Sequence, residues 1–156
     1  DKLKNNGYLC SEEIVRDLTL KKRDEGIDQY FLKDPLAFSI KLFNLRLKEY
    51  NKSFNSNLII YDRGPIDVLA YLNFKSIEIP KDLINDSKKI NYEYSFILNP
   101  WRDIYTQDSV RYESYEECVL IHEFLIKEYE KFKIKLIVVP NGTIIERVRF
   151  IKKFID

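Results

Sequence analysis

The sequence predicts an α/β fold in which helices cover both faces of a parallel β-sheet. Short apolar runs bounded by polar residues are typical of strands buried on both faces. They alternate along the chain with helical patterns that carry start signals. This alternation favours right-handed crossovers and a parallel sheet. Because 156 residues is the length of one ordinary domain, we expect a single three-layer α/β/α domain over residues 1–156.

The predicted elements follow one another along the chain. Apolar runs predict strands at residues 8–10, 58–61, 94–98 and 135–139. Between the first two strands, Asp34-Pro35 is an N-cap residue followed by proline at the first helical position. A helix is therefore expected from there to about residue 50. Its apolar face repeats at steps of three and four residues: Leu36, Ile40, Phe43, Leu47 and Tyr50.

Two later helices are predicted from capping boxes, in which Ser or Thr is followed three residues later by Glu. Ser114 with Glu117 precedes a helix before the last strand, and Thr143 with Glu146 precedes the C-terminal helix. The expected apolar faces include Ile121 and Leu125 in the first of these helices, and Val148 and Ile151 in the second.

Composition excludes several classes of protein. The 26 Lys and Arg residues nearly balance 25 Asp and Glu, so no overall field attracts nucleic acid, and no apolar run approaches the roughly 18 residues of a membrane span. Cys10 and Cys118 have no metal-ligand spacing, and there is no secretory segment, which favours a reducing, cytoplasmic compartment. The chain contains no Met, so we expect it to begin inside a longer gene product.

The stretch IIYDRGPIDVLAYL, residues 59–72, contains the first candidate site. Asp62 and Arg63 follow a predicted strand, and ligands of parallel sheets bind at the carboxyl ends of strands. A carboxylate there can hold hydrated Mg²⁺ or orient a nucleophile, and an adjacent Arg can bind phosphate oxygens. The alternative is a helix cap, with Asp62 or Asp67 accepting from helix amides and Arg63 as its ion partner.

Two further segments have a similar character. In CSEEIVRDL, Glu12 and Glu13 follow a predicted strand, and Arg16 lies three or four residues later, where a helix would place it on the same face. Such a carboxylate can accept a substrate proton beside a phosphate-binding group, or it can simply stabilise a helix N-terminus.

Residues 100–113 form the second segment, a polar stretch after a strand that is expected to act as a lid, although an ordinary loop would look similar.

Taken together, these segments resemble the AAA-type P-loop NTPase domain family that includes ribosylnicotinamide-kinase domains and many predicted ATPases. The resemblance rests on two patterns, Asp-Arg-Gly-x-x-Asp-x-x-x-Tyr at residues 62–71 and Trp-x-x-x-Tyr-x-x-Asp-x-x-Arg-Tyr-Glu at residues 101–113. It covers nearly the whole chain. It implies a fold related to nucleoside kinases, with ATP and Mg²⁺ as ligands and a small hydroxyl-bearing acceptor as substrate.

The resemblance also implies roles for single residues. Asp62 matches the carboxylate that serves the metal and phosphate site, with Arg63 beside it, and Pro140 matches the position beside the adenine pocket. Catalytic roles are thus expected for Glu13, Asp62, Arg63, Arg102 and Arg111, and substrate contacts for Arg16, Asp67 and Asp108.

One departure from the family pattern concerns the phosphate loop. The family's first strand and its Gly-x-x-x-x-Gly-Lys-Ser/Thr loop should precede Gly7, but only six residues do, and no such loop occurs in the 156 residues. We therefore expect an incomplete N-terminus. The alternatives are a degenerate module that binds a nucleotide, lipid or protein without chemistry, and a structural domain in which Asp62 and Arg63 are paired and buried.

Overall fold

The computed structural model describes residues 2–11, 14, 33–52, 56–106 and 113–156. The predicted strands and the three capped helices are confirmed, although the strands are shorter than the apolar runs that predict them. The elements in chain order are α1 (Lys2–Asn5), β1 (Leu9–Cys10), α2 (Pro35–Tyr50), β2 (Ile59–Ile60), α3 (Pro65–Phe74), α4 (Lys81–Ser87), β3 (Ser95–Leu98), a 3-10 turn (Arg102–Ile104), α5 (Tyr115–Lys131), β4 (Leu136–Val139) and α6 (Ile144–Ile155).

The starts of α2, α5 and α6 are determined by short-range hydrogen bonds. The Asp34 carboxylate accepts from the Ala37 amide at 2.9 Å. In the capping box of α5, the Ser114 amide donates to Glu117 at 2.9 Å and the Glu117 amide donates back to the Ser114 hydroxyl at 3.1 Å. Thr143 forms the same box at the start of α6. No described helix has the length and apolar character that crossing a bilayer requires.

All strand pairing between the described residues is parallel, as predicted. In β1 and β2, Leu9 lies opposite Ile59, and in β3 and β4, Ser95 lies opposite Leu136. The described strands form two separate two-stranded sheets rather than one. The chain is therefore a mixed helix and strand structure compatible with an α/β P-loop fold. The three-layer arrangement, in which helices cover both faces of a single sheet, stays a prediction.

The hydrophobic core lies between helices rather than against a sheet. Helix α3 is buried on most of its sides and packs against α2, α4 and α5. Burying apolar side chains in this way contributes roughly 25 cal/mol for each Å² removed from water. The buried cluster consists of Phe38, Leu42, Phe43, Val68, Leu69, Leu72 and Leu83.

The predicted apolar face of α2 is partly wrong. Of the five residues expected on it, Phe43 is buried, whereas Leu36 is 36% exposed. The structure instead buries the stripe formed by Phe38, Ser39, Leu42, Phe43 and Arg46. Helix α2 carries apolar side chains on several sides. Periodicity alone therefore cannot tell which of two neighbouring rows of side chains is buried, and the packing of α2 against α3 determines it.

The expectation that the strands are buried on both faces is wrong for β3 and β4. Leu98 is 52% exposed and Val138 is 51% exposed. Helix α6 covers part of this sheet, since the Phe154 ring lies 5.6 Å from the ring of Phe96 in an edge-on contact. A parallel sheet is buried on both faces only where other elements pack against both of them. The exposed side chains of Leu98 and Val138 show that part of this sheet is left uncovered.

His122 on α5 makes stability depend on pH. Burial lowers its pKa, and the Glu123 carboxylate opposes that shift in part. Because the unfolded chain then binds a proton more readily, the free energy of unfolding should fall as the pH drops through and below about 6.5, the ordinary pKa of histidine. His122 is the only histidine, so we expect His122→Gln to flatten this dependence in urea denaturation. An equally steep dependence in the variant would contradict the assignment.

Candidate functional site

The turn after β2 presents Asp62 to solvent. The Asp62 amide donates to the Ser11 hydroxyl at 3.3 Å, and the Ser11 amide donates to the Ile60 carbonyl at 2.8 Å. These bonds hold together the carboxyl ends of β1 and β2. The Asp62 side chain is exposed, and no described residue forms a hydrogen bond or ion pair with its carboxylate. Within the described part of the chain, no other group therefore competes for this carboxylate.

Arg63 occupies a left-handed backbone conformation, with φ 72°. Its guanidinium Nη1 lies 3.4 Å from Asp67 Oδ1, and its side chain is 58% exposed. At that exposure the ion pair contributes little to stability. Most of the Arg63 side chain can therefore reach a ligand beside Asp62.

Gly64, the last residue of the turn, is held from two sides. Its amide donates to Asp67 Oδ2 at 2.8 Å, and its carbonyl accepts from Arg46 Nη1 at 3.1 Å. The hydroxyl of Tyr129 on α5 also donates to Asp67 Oδ2, at 2.9 Å. Side chains from α2 and α3 thus bind the backbone of this turn directly, and Tyr129 on α5 acts on it through Asp67.

The two hydrogen-bond donors of the cluster, Arg46 and Tyr129, both keep their protons at neutral pH, for different reasons. Burial lowers the pKa of Arg46, and the Asp67 carboxylate opposes that shift, but a guanidinium remains charged in proteins. Burial, followed by the Asp67 charge, raises the pKa of Tyr129 well above its ordinary value. Both groups therefore act as hydrogen-bond donors toward the turn at physiological pH.

Asp67 caps a helix, as the helix-cap alternative predicts, but Asp62 does not. Asp67 completes a capping box at the start of α3 through the Gly64 amide. Asp62 bonds no helix amide among the described residues. The structural alternative required Asp62 and Arg63 to be paired with each other and buried, whereas both are exposed and Arg63 pairs with Asp67. A substrate contact for Asp67 remains a prediction.

Gly64 leaves space for a buried tyrosine. A Cβ added at Gly64 would lie 2.5 Å from the hydroxyl oxygen of Tyr92, a buried oxygen that has no hydrogen-bond partner among the described residues. We expect Gly64→Ala to lower the free energy of unfolding by about 2 kcal/mol, through overpacking and a poorer N-cap. Tyr92→Phe in the same chain should recover the overpacking part, since it removes the obstructing atom.

Urea denaturation of both single variants and the double variant measures this coupling as a double-mutant cycle. Tyr92→Phe alone should cost little, because the hydroxyl it removes makes no hydrogen bond within the described part of the chain. If the effects of Gly64→Ala and Tyr92→Phe simply add, the close approach is not the source of the destabilisation.

Asp62 suits a Mg²⁺ ion bound mainly through water and phosphate oxygens. Mg²⁺ takes one or two protein carboxylates and keeps several waters when it binds with phosphates. Asp62 is exposed and unpaired among the described residues, as such a ligand needs to be. In the described part of the chain, no three His, Cys, Asp or Glu residues are grouped to hold a metal. A cage made only of protein ligands is therefore not formed by these residues.

Arg102 lies after β3, in the segment expected to be a lid. Its Nη1 is 3.2 Å from Glu116 Oε1, and its guanidinium lies 4.6 Å from the centre of the Tyr115 ring. Both charged side chains are exposed, so this pair contributes little and can open toward a ligand. The described lid residues also include Trp101, whose indole donates to Asp103 at 3.0 Å.

The structure does not join all the predicted site residues. Pro140 follows β4, and Arg102 lies beyond the adjacent end of β3. Between described residues, no hydrogen bond or ion pair connects either of them to Asp62 or Arg63. The remaining predicted site residues lie outside the described part of the chain: Glu13, Arg16, Asp108 and Arg111.

Two cavities formed by described residues lie away from these residues. One, of about 640 Å³, is lined by α1 and α6, and includes Ile145 and Lys152. The other, of about 490 Å³, lies along α2. Asp62 and Arg63 line neither of these two cavities.

Arg46, Tyr92 and Tyr129 were not anticipated from the sequence as part of this site. For Arg46 a signal existed, because it lies three residues after Phe43 and four after Leu42, on the stripe that is buried. A charged residue at such a position requires a buried partner. The tyrosines carried no comparable signal, since they lie far from the turn in sequence and meet it only through packing.

A family model described as an AAA domain matches residues 1–147. No curated protein and no solved structure matches the chain significantly. Because the family match spans nearly all of the sequence, and the Asp-Arg-Gly motif lies at the carboxyl end of a parallel strand, the chain belongs to the AAA-type P-loop domain family.

Proposed function

We propose that this AAA domain binds ATP with Mg²⁺ and transfers a phosphoryl group to a small hydroxyl-bearing acceptor, or hydrolyses ATP. Family membership points to nucleotide binding as the general activity. The single observation that carries the proposal is the exposed carboxylate of Asp62, unpaired among the described residues, beside Arg63 at the end of β2. This is the region where parallel sheets bind ligands.

In the proposed site each group has a chemical role. Asp62 holds Mg²⁺ or its water, and Arg63 binds phosphate oxygens. Arg102 and Arg111 neutralise charge that develops on the transferred phosphoryl group. Mg²⁺, when bound, supplies additional charge neutralisation at the phosphates.

The other predicted residues serve the acceptor and the base. Glu13 accepts the proton of the attacking hydroxyl or water. Pro140 lies beside the adenine, and Arg16, Asp67 and Asp108 contact the acceptor. We also propose that residues 1–156 belong to a single three-layer α/β/α domain and that the protein is cytoplasmic.

The test is Mg²⁺-dependent ATP binding by the full-length gene product. Asp62→Asn should weaken Mg²⁺-ATP binding at least about tenfold, because a charge-assisted contact is lost while the side-chain size is kept. Isothermal titration calorimetry measures the affinity, and ATP turnover is followed in parallel. Asp82→Asn, at an exposed carboxylate in the first turn of α4, is the matched control and should bind as the wild type does.

An unchanged affinity in Asp62→Asn would remove this residue from the site. No ATP binding or turnover by the full-length protein would instead end the proposal as a whole. A second candidate is a module that binds a nucleotide, lipid or protein without chemistry. A phosphate loop encoded within roughly 35 residues upstream would decide for the enzyme.

A further inference from the structure

Arg63 has a left-handed backbone conformation, with φ 72°, at a position where no helix ends. Among the described residues, three that are not glycine have positive φ: Arg63, Ser76 and Lys133. Ser76 and Lys133 follow the ends of α3 and α5, where a left-handed residue commonly terminates a helix. Arg63 instead precedes a helix and follows a strand, so helix termination does not account for it.

A left-handed arginine persists only where the surroundings determine the conformation, and such residues cluster at functional sites. Here both backbone polar groups of the next residue, Gly64, are bound. The Gly64 amide donates to Asp67 at 2.8 Å, and the Gly64 carbonyl accepts from Arg46 at 3.1 Å. Arg46 is buried on α2 and belongs to the core stripe, so its guanidinium is anchored within the fold.

Asp67 is itself oriented from a third element. The hydroxyl of Tyr129, on α5, donates to Asp67 Oδ2 at 2.9 Å, the same oxygen that accepts the Gly64 amide. This bond keeps Asp67 directed at the turn. The pair Asp62 and Arg63 is exposed, whereas Arg46 and Asp67 lie beneath it with little exposure.

We infer that Arg46 and Tyr129 are positioning residues that hold Asp62 and Arg63 in the geometry in which they meet a nucleotide phosphate. The inference rests on the proposed function for its ligand. Neither residue touches the phosphate: Arg46 acts on the turn through the Gly64 carbonyl, and Tyr129 acts through Asp67. Fixing the direction of a carboxylate and a guanidinium in advance removes an ordering cost from phosphate binding.

The experiment compares two hydrogen bonds across the same helix interface. Tyr129→Phe removes the hydroxyl that bonds Asp67, and Asn73→Ala removes the amide that donates to Glu128 at 2.7 Å. Each variant loses one side-chain hydrogen bond between α3 and α5. Glu128 keeps a partner in the control, because Lys131 lies 3.2 Å from its other oxygen.

Two measurements on the full-length protein separate positioning from general stability. Without nucleotide, the exchange rate of the Gly64 amide is measured by NMR, and Tyr129→Phe should raise it about fivefold, since one hydrogen bond of the network is lost. Tyr129→Phe should also weaken Mg²⁺-ATP binding by a similar factor. Asn73→Ala should leave both quantities as in the wild type.

Arg46→Met tests the opposite side of the turn and should have the same two effects as Tyr129→Phe. If that variant does not fold, the comparison of Tyr129→Phe with Asn73→Ala still decides for Tyr129. Unchanged Gly64 exchange in Tyr129→Phe, or equal changes in Asn73→Ala, overturns the inference. If the wild-type protein binds no nucleotide, the proposed function fails, and the exchange data still show whether Tyr129 holds the turn.

Discussion

Replacing Asp67 with alanine is expected to lower the free energy of unfolding by about 3 kcal/mol. The Asp67 carboxylate accepts from the Gly64 amide and the Tyr129 hydroxyl, and among the charges acting on buried Arg46 it is the strongest opposing one. Alanine leaves both donors without their acceptor and removes the main compensating charge of the Arg46 guanidinium. Removing one partner from a buried polar network leaves the other groups unsatisfied, and each of them then costs its desolvation free energy.

Urea denaturation of Asp67→Ala measures this loss. Asp82→Ala is the matched control, because Asp82 also lies in the first turn of a helix but is exposed, and it should change stability by less than about 0.5 kcal/mol. Asp67→Asn keeps an acceptor oxygen and should fall between the two. A loss below about 1 kcal/mol in Asp67→Ala would mean that the turn does not depend on this carboxylate.

Replacing Phe43 with alanine is expected to cost about 3–5 kcal/mol. Phe43 is completely buried, with 0% exposure, in the cluster formed by α2, α3 and α4. The substitution loses the transfer free energy of the ring and leaves a cavity that rigid neighbouring helices cannot close. Because a domain is typically stable by only 5–15 kcal/mol, this change removes a large part of the total.

The measurement is again the free energy of unfolding, with Leu36→Ala as the control on the same helix. Leu36 is 36% exposed, so its truncation should cost well under half as much as Phe43→Ala. Phe43→Leu keeps most of the volume and gives an intermediate loss even if the alanine variant does not fold. Equal losses at the two positions would mean that the core does not lie on the side of α2 described here.

Features that depend on neighbours within about four residues were predictable from the sequence. The N-caps of α2, α5 and α6 were predicted correctly, because each side chain bonds an amide three residues away. The position of Asp62 and Arg63 at the end of a strand also followed from a short apolar run. Parallel pairing followed from the alternation of strands and helices.

Features that depend on packing between distant elements were not predictable in the same way. The buried stripe of α2 differs from the expected one, and Leu98 and Val138 are exposed on strands expected to be buried. A pattern of apolar residues records which side chains can be buried, but the neighbouring elements determine which of them are buried.

By itself, the sequence determined the four strands, the three capped helices, the motif that connects the chain to its family, and the place of Asp62 and Arg63 after a strand. Only the tertiary structure decided how that motif is held. The Arg46 bond to Gly64 spans 18 residues and the Tyr129 bond to Asp67 spans 62. Such bonds form only after helices pack, because the helices must first be brought within about 3 Å of the turn. Local sequence patterns cannot contain that information.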